Sequence, residues 1–252
     1  MKTIDINCDL GEGMPWDEAL MPYISSANIA CGAHAGNEEI IFKTVQLCIQ
    51  HNVAIGAHPG FADKPGFGRN EMHLADEELY QLIYRQIETI ARICLECNAE
   101  LHHVKLHGAL YNMAARNRKI SKIASRAVKK VNTRLLFYGL SNSVMLEEAR
   151  NAGLCAVAEA FADRAYRADG SLLARNNPGA VISEPEKALH QVLQILEHNT
   201  VTTVENIKIP LKAETICIHG DEPHAPEMAG KITTALHTRG YRISKPQHSM
   251  KT

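Results

Sequence analysis

Acidic, basic and histidine side chains recur in this sequence at the ends of short β-type runs, in most cases close to a glycine. Asp9 and Glu12 flank Gly11, His34 precedes Gly36, and His58 precedes Gly60. Lys105 and His107 lead into Gly108, Asp163 and Arg164 follow Glu159, and His219 and Asp221 enclose Gly220. Carboxylates and imidazoles exchange protons near neutral pH, so Asp9, Glu12, His107, Asp163, His219 and Asp221 are candidate acids and bases. Lys105 and His107 alternate along one run, which puts both on the same side of a strand. Lys105 there can steady a carboxylate or a phosphate. Arg69, in a glycine-bounded loop, and Arg164 can clamp a carboxylate through two hydrogen bonds.

Each residue also has a purely structural use. Asp9 can accept from the N–H groups of the 11–13 turn, Lys105 can pair with Glu159 or Asp163, and either arginine can hold its own loop. Six strand ends that all carry ionisable groups are nevertheless hard to obtain from packing alone. A core does not need them, and burying them unpaired costs several kcal/mol. The sequence therefore predicts one catalytic or binding face.

The elements that must position these residues follow a strand–helix rhythm. Strands are expected at 3–9, 27–31, 53–58, 101–106, 134–138, 154–160 and 215–219, with a closing strand at 241–244. Helical spacing runs through 38–52, 77–97 (capped by Asp76), 110–131, 144–152, 183–198 (opened by a capping box at 183–186) and 226–239. Such alternation over 252 residues predicts a single domain, a parallel β/α barrel of seven or eight units whose strand ends converge on one face. An open doubly wound sheet is disfavoured, because Gly11-Glu12-Gly13 lacks the later glycine of a dinucleotide fingerprint.

Composition narrows the function classes. Lys and Arg total 27 against 28 Asp and Glu, so no basic excess favours nucleic acid or anionic lipid. No apolar run approaches the roughly 18 residues of a membrane span, and Asp5 and Asp9 interrupt any apolar leader. Seven scattered cysteines read as reduced thiols, including the Cys94–Cys97 pair within a helical stretch. A cytoplasmic location is expected.

Several of these segments resemble the LamB/YcsF family: DINCDLGEG at 5–13, ISSANIACG at 24–32 with His34 and Gly36, IGAHPG at 55–60, GFGR at 66–69, HVKLHGALYN at 103–112, EAFADRAY at 159–166 and IHGD at 218–221. Asn37, Leu106 and Asn70 depart from the residues common at those places. The resemblance spans the chain in order. It implies a distorted barrel related to carbohydrate deacetylases, and the A subunit of an ATP-dependent 5-oxoprolinase that opens the lactam of 5-oxoproline to L-glutamate.

That relationship implies in turn that Asp9, His34 and His58 can form an Asp-His-His site for a divalent metal. A deacetylase acting on an N-acyl substrate, or a scaffold without catalysis, are the rival readings. No phosphate loop occurs in the sequence, so ATP is expected on two further, kinase-like subunits. The loops at 59–71 and 161–170 are expected either to dock on those partners through Phe61, Phe67, Tyr166, Arg69 and Arg167 or to close over the site as a lid.

Overall fold

A computed structural model describes residues 2–247. The chain runs β1 (Lys2–Leu10), α1 (Asp17–Leu20), β2 (Ser26–Ala30), α2 (Glu38–His51), β3 (Ala54–His58), α3 (Asp76–Glu96), β4 (Leu101–Lys105), α4 (Gly108–Arg116), α5 (Arg118–Val131) and β5 (Leu136–Leu140). It continues through α6 (Val144–Asn151), β6 (Cys155–Phe161), α7 (Pro185–His198), β7 (Thr200–Thr202), β8 (Lys208–Pro210), β9 (Thr215–His219), α8 (Ala225–Thr238) and β10 (Tyr241–Ile243). Strands β1 to β6 pair in sequence order, β6 pairs β9, and β9 pairs β1, all in parallel. The result is a closed barrel of seven strands.

Three expectations change. The 241–244 run is β10, which adds to the outer end of β1 beside Lys2–Ile4, while β9 closes the ring. The helix expected at 110–131 breaks at Asn117, whose side chain accepts from the N–H groups of Lys119 and Ile120 and starts α5 afresh. The antiparallel β7–β8 hairpin has no counterpart in the sequence pattern, because each strand has only three residues. Two caps also differ in detail. In α3, Glu78 accepts from the Ala75 N–H while Asp76 is already helical. In α7, Pro185 opens the first turn and no side chain caps it.

Alternation along β1 shows how the barrel is filled. Ile4, Ile6, Cys8 and Leu10 pack toward the helices, whereas Asp5, Asn7 and Asp9 join a polar interior. Both faces of the strand are therefore buried, as a parallel barrel requires. The interior is not the usual aliphatic filling. Asn28, His103, Lys105, Tyr138, Glu159 and Thr215 occupy it, each buried and hydrogen-bonded. Gly56 makes room for the His103 ring, since a Cβ at 56 would stand 2.1 Å from its Nε2. All seven cysteines are free thiols, and no described helix is long and apolar enough to cross a membrane.

Candidate active site

Asp9 sits near the carboxyl end of β1, in register with Asn28 on one side and His219 on the other. Its Oδ1 accepts from Asn28 Nδ2 at 2.8 Å and from Lys105 Nζ at 2.9 Å. The 11–13 turn does not use it, because the Gly11 N–H donates to Asp17 instead. Lys105 is buried among Asp9, Asn7 Oδ1 at 3.2 Å, Cys217 Sγ at 3.0 Å and Glu159 Oε1 at 2.9 Å. Its three protons are committed to these neighbours, so it holds Asp9 rather than reaching for a ligand. Burial opposes the ammonium, yet Asp9 foremost and Glu159 with it hold the Lys105 pKa well above its ordinary value. Burial likewise opposes the Asp9 carboxylate, but the charges of His58 and Lys105 outweigh it and keep the group well below the usual range.

Oδ2 of Asp9 faces a second group of side chains. His58 Nε2 lies 3.3 Å from it, and the same nitrogen is 2.9 Å from His107 Nδ1. Glu12 Oε1 stands 3.5 Å from His107 Nδ1 and 3.6 Å from His34 Nε2. The His34 and His107 rings stack at 3.7 Å, nearly parallel, and His58 meets both edge-on. Glu12 Oε1 and both nitrogens of His34 are buried with no hydrogen-bond partner. Burial, with Asp9 and Asp221 nearby, pushes the Glu12 carboxyl well above its ordinary range. Burial foremost lowers His34 to about 3, and burial with the neighbouring His34 and His58 lowers His107 well below its usual value. Gly68, with φ of 65°, lets the backbone pass close to this stack: a Cβ there would meet His34 Cβ at 2.8 Å and His107 Cδ2 at 2.9 Å.

On the opposite wall, Asp163 holds His219 twice. It accepts from the ring Nδ1 at 2.9 Å and from the backbone N–H at 2.8 Å. That fixes the Nδ1–H tautomer and turns Nε2 toward Asp9 Oδ2, 4.0 Å away. Burial opposes the Asp163 carboxylate, but His219 overrides it and lowers its pKa. Asp221 takes Arg69 and Arg175 together, the latter at 2.9 Å, while the Arg69 guanidinium also covers the Phe67 ring. Asp9, His58, Lys105, His107, His219, Arg69, Arg164 and Arg175 border one cavity of about 570 Å³. An ordered carboxylate, a carboxylate-oriented imidazole and a rim of guanidinium groups thus share one small chamber. Proton transfer to a small anionic substrate is the chemistry this arrangement suits.

Residues 4–251 match the LamB/YcsF family. The chain belongs to that family. A relative from Tolumonas auensis, named as the A subunit of 5-oxoprolinase, is 42% identical over 248 residues, covering 96% of this chain and 99% of the relative. The crystal structure of a lactam utilization protein from Thermus thermophilus superposes with a TM-score of 0.90 at 40% identity, covering 97% of this chain and 99% of that one. The catalytic domain of a peptidoglycan N-acetylglucosamine deacetylase from Eubacterium rectale shares the barrel at a TM-score of 0.53 and 10% identity, covering all of this chain and 90% of that one. That last likeness is one of fold alone.

Measured against the expectations, the LamB/YcsF barrel brings Asp9, Lys105, His107, His58 and His219 to the cavity, with Asp163 behind His219. Glu12 and His34 lie outside its lining and meet each other and His107. The implied Asp9-His34-His58 set is therefore divided: His58 adjoins Asp9, whereas His34 adjoins Glu12. Arg164 bonds the carbonyls of Leu173 at 2.6 Å and Ala180 at 3.3 Å, which holds its own loop. Phe61 and Tyr166 are buried and cannot offer a docking surface; the Tyr166 hydroxyl accepts from the Phe161 N–H. Arg175 is a site residue that sequence reasoning does not single out. Its only signal is the Arg-Asn-Asn-Pro-Gly run in the long loop after β6, the kind of segment that carries function in barrels.

Proposed function

We propose that this chain opens the lactam ring of 5-oxoproline as the A subunit of an ATP-dependent 5-oxoprolinase, with kinase-like partner chains consuming the ATP. The carrying observation is the chamber in which ionised Asp9 and Asp163-bound His219 face each other beneath two arginines. The names of the relatives at about 42% identity, aligned over nearly the whole chain, support the same reaction class. A resonance-stabilised amide resists water. Transfer of a phosphoryl group from ATP to the lactam oxygen on the partner chains makes the ring carbon electrophilic.

Water then adds to that carbon while Asp9 or His219 takes its proton. The C–N bond breaks with its electron pair and a proton going to nitrogen, leaving an acyl phosphate. A second water cleaves the acyl phosphate to the γ-carboxylate and inorganic phosphate. Asp163 is a positioning residue that keeps His219 Nε2 free for proton transfer. Lys105 does the same for Asp9 by occupying Oδ1. Arg69 and Arg175 bind the substrate carboxylate by exchanging it for Asp221. The test is reconstitution with the kinase-like subunits, ATP and 5-oxoproline. Glutamate should form only when this chain is present, and an unchanged yield without it would refute the catalytic assignment.

A further inference from the structure

Arg69, Arg164 and Arg175 border the same chamber, but only two of them have an acid. Arg69 and Arg175 share Asp221. Arg164 has no carboxylate partner among the described residues: its Nε and Nη2 donate to the carbonyls of Ala180 and Leu173, and Nη1 has no acceptor there. Its chain neighbour Asp163 is turned to His219, which engages both carboxylate oxygens. Carbonyl dipoles fix a guanidinium in place without cancelling its charge. The side chain is only 5% exposed, and burial foremost, with Arg175 next, lowers its pKa to about 10. A buried cation without an acid is costly, and anchoring a loop does not require one. In this same loop Gln191, a neutral donor, holds the carbonyls of Phe161, Ala162 and Arg164.

The first turn of α4 opens on the same chamber through Gly108, Ala109 and Tyr111. It carries no acid and no side chain caps it, so its positive end adds to the field of Arg164. The acids that line the chamber, Asp9 and Glu71, are paired with Lys105 and Arg116. We propose that Arg164, with the start of α4, is a subsite for a phosphoryl group that the substrate carries in addition to its carboxylate. The carboxylate satisfies the two arginines that Asp221 now holds. A phosphoryl group, with about −1.5 to −2 charges and three acceptor oxygens, matches the remaining guanidinium and the helix end. A chamber of about 570 Å³ has room for both groups. The identity of the carrier rests on the lactam reading. On that reading this chain receives the lactam already phosphorylated at its oxygen, not the lactam itself.

The experiment titrates the full chain with inorganic phosphate at mildly alkaline pH, where phosphate is a dianion, with and without saturating 5-oxoproline. One phosphate should bind in both cases, because carboxylate and phosphate go to different arginines. Arg164→Gln keeps donors for the loop carbonyls and should weaken phosphate binding by on the order of 10-fold or more, with 5-oxoproline binding unchanged. Arg126→Gln, at an exposed arginine paired with Glu77, should change neither. Should Arg164→Gln fold poorly, a phosphate-soaked crystal of the unsubstituted chain still locates the ion, expected within hydrogen-bond reach of Arg164 Nη1. Absence of phosphate binding, binding indifferent to Arg164→Gln, or phosphate seated on Arg69 and Arg175 instead would overturn the proposal. Expulsion of phosphate by 5-oxoproline would overturn it too, since it would show one anion site where two are required. A chain that takes phosphate at Arg164 but yields no glutamate in the reconstituted assembly keeps the subsite and loses the lactam reading.

Discussion

The two ends of the barrel bury acids in opposite ways. At the amino end, Asp5 is enclosed by hydroxyls: Ser25 and Ser26 donate to Oδ1 at 2.6 and 2.8 Å, and Thr215 and Tyr138 donate to Oδ2 at 2.6 and 3.0 Å. Burial raises its pKa, and those four hydrogen bonds pull back against the rise. At the carboxyl end, Glu12 is also buried, yet its Oε1 and both His34 nitrogens have no hydrogen-bond partner. The first carboxylate ties β1, β5 and β9 to the start of β2. The second leaves polar atoms unsatisfied at the mouth, where bound species can complete them. A buried group that is satisfied stabilises the fold; one left incomplete costs stability and is kept for function.

That contrast can be broken by substitution. Asp5→Ala removes the acceptor for four hydroxyls and should destabilise the chain by about 3 kcal/mol or more, read from the urea midpoint. A loss below about 1 kcal/mol would mean the network is dispensable. The pH dependence should come next. His34, His103 and His107 have lowered pKa values because burial disfavours their charged forms. Below the unfolded value near 6.5 the unfolded chain takes up protons that the folded chain refuses. Stability should therefore fall as pH drops below about 6.5, by up to roughly 1.4 kcal/mol per pH unit for each such histidine. Asp5, Glu12 and Asp17, whose raised pKa values work in the opposite sense, offset part of that fall, and the Glu12 share is removed by measuring in the Glu12→Gln background. Asp9, Asp163 and Asp221, whose pKa values are lowered, act in a separate and more acidic window, losing their contribution as pH falls below about 4. A denaturation midpoint that is flat from pH 7.5 to 5.5 would contradict the neutral histidines. The smallest effect is expected at Glu12→Gln itself, which should leave the melting temperature at neutral pH unchanged or raise it by a few degrees, because it replaces a buried carboxyl whose Oε1 has no hydrogen-bond partner to lose. A clear loss would show that Glu12 supports the fold as Asp5 does.

Much of this is legible in the sequence, for identifiable reasons. Period-two runs bounded by glycine mark Asp9, His58, Lys105 and His219 as strand-end residues, and parallel β/α topology brings strand ends together whatever their separation in sequence. What each side chain does there is not legible. Whether Lys105 is free or spent depends on Asp9 and Cys217, 96 and 112 residues away, and on Glu159. The division of Glu12 and His34 from Asp9 and His58 is set by ring rotamers and by the close passage of Gly68, which no spacing encodes. Arg175 lies in irregular chain, where no periodicity announces a residue's direction.

If Asp9 belongs to the ring-opening step and ATP is handled elsewhere, the most direct test is Asp9→Asn in the reconstituted assembly, with glutamate and phosphate measured separately. Asparagine keeps the size of the side chain and an oxygen for Lys105, but it removes the carboxylate base. Glutamate formation is predicted to fall by on the order of 100-fold or more, with assembly of the subunits intact. Glutamate formation at the wild-type rate by Asp9→Asn would contradict a role for Asp9 in ring opening.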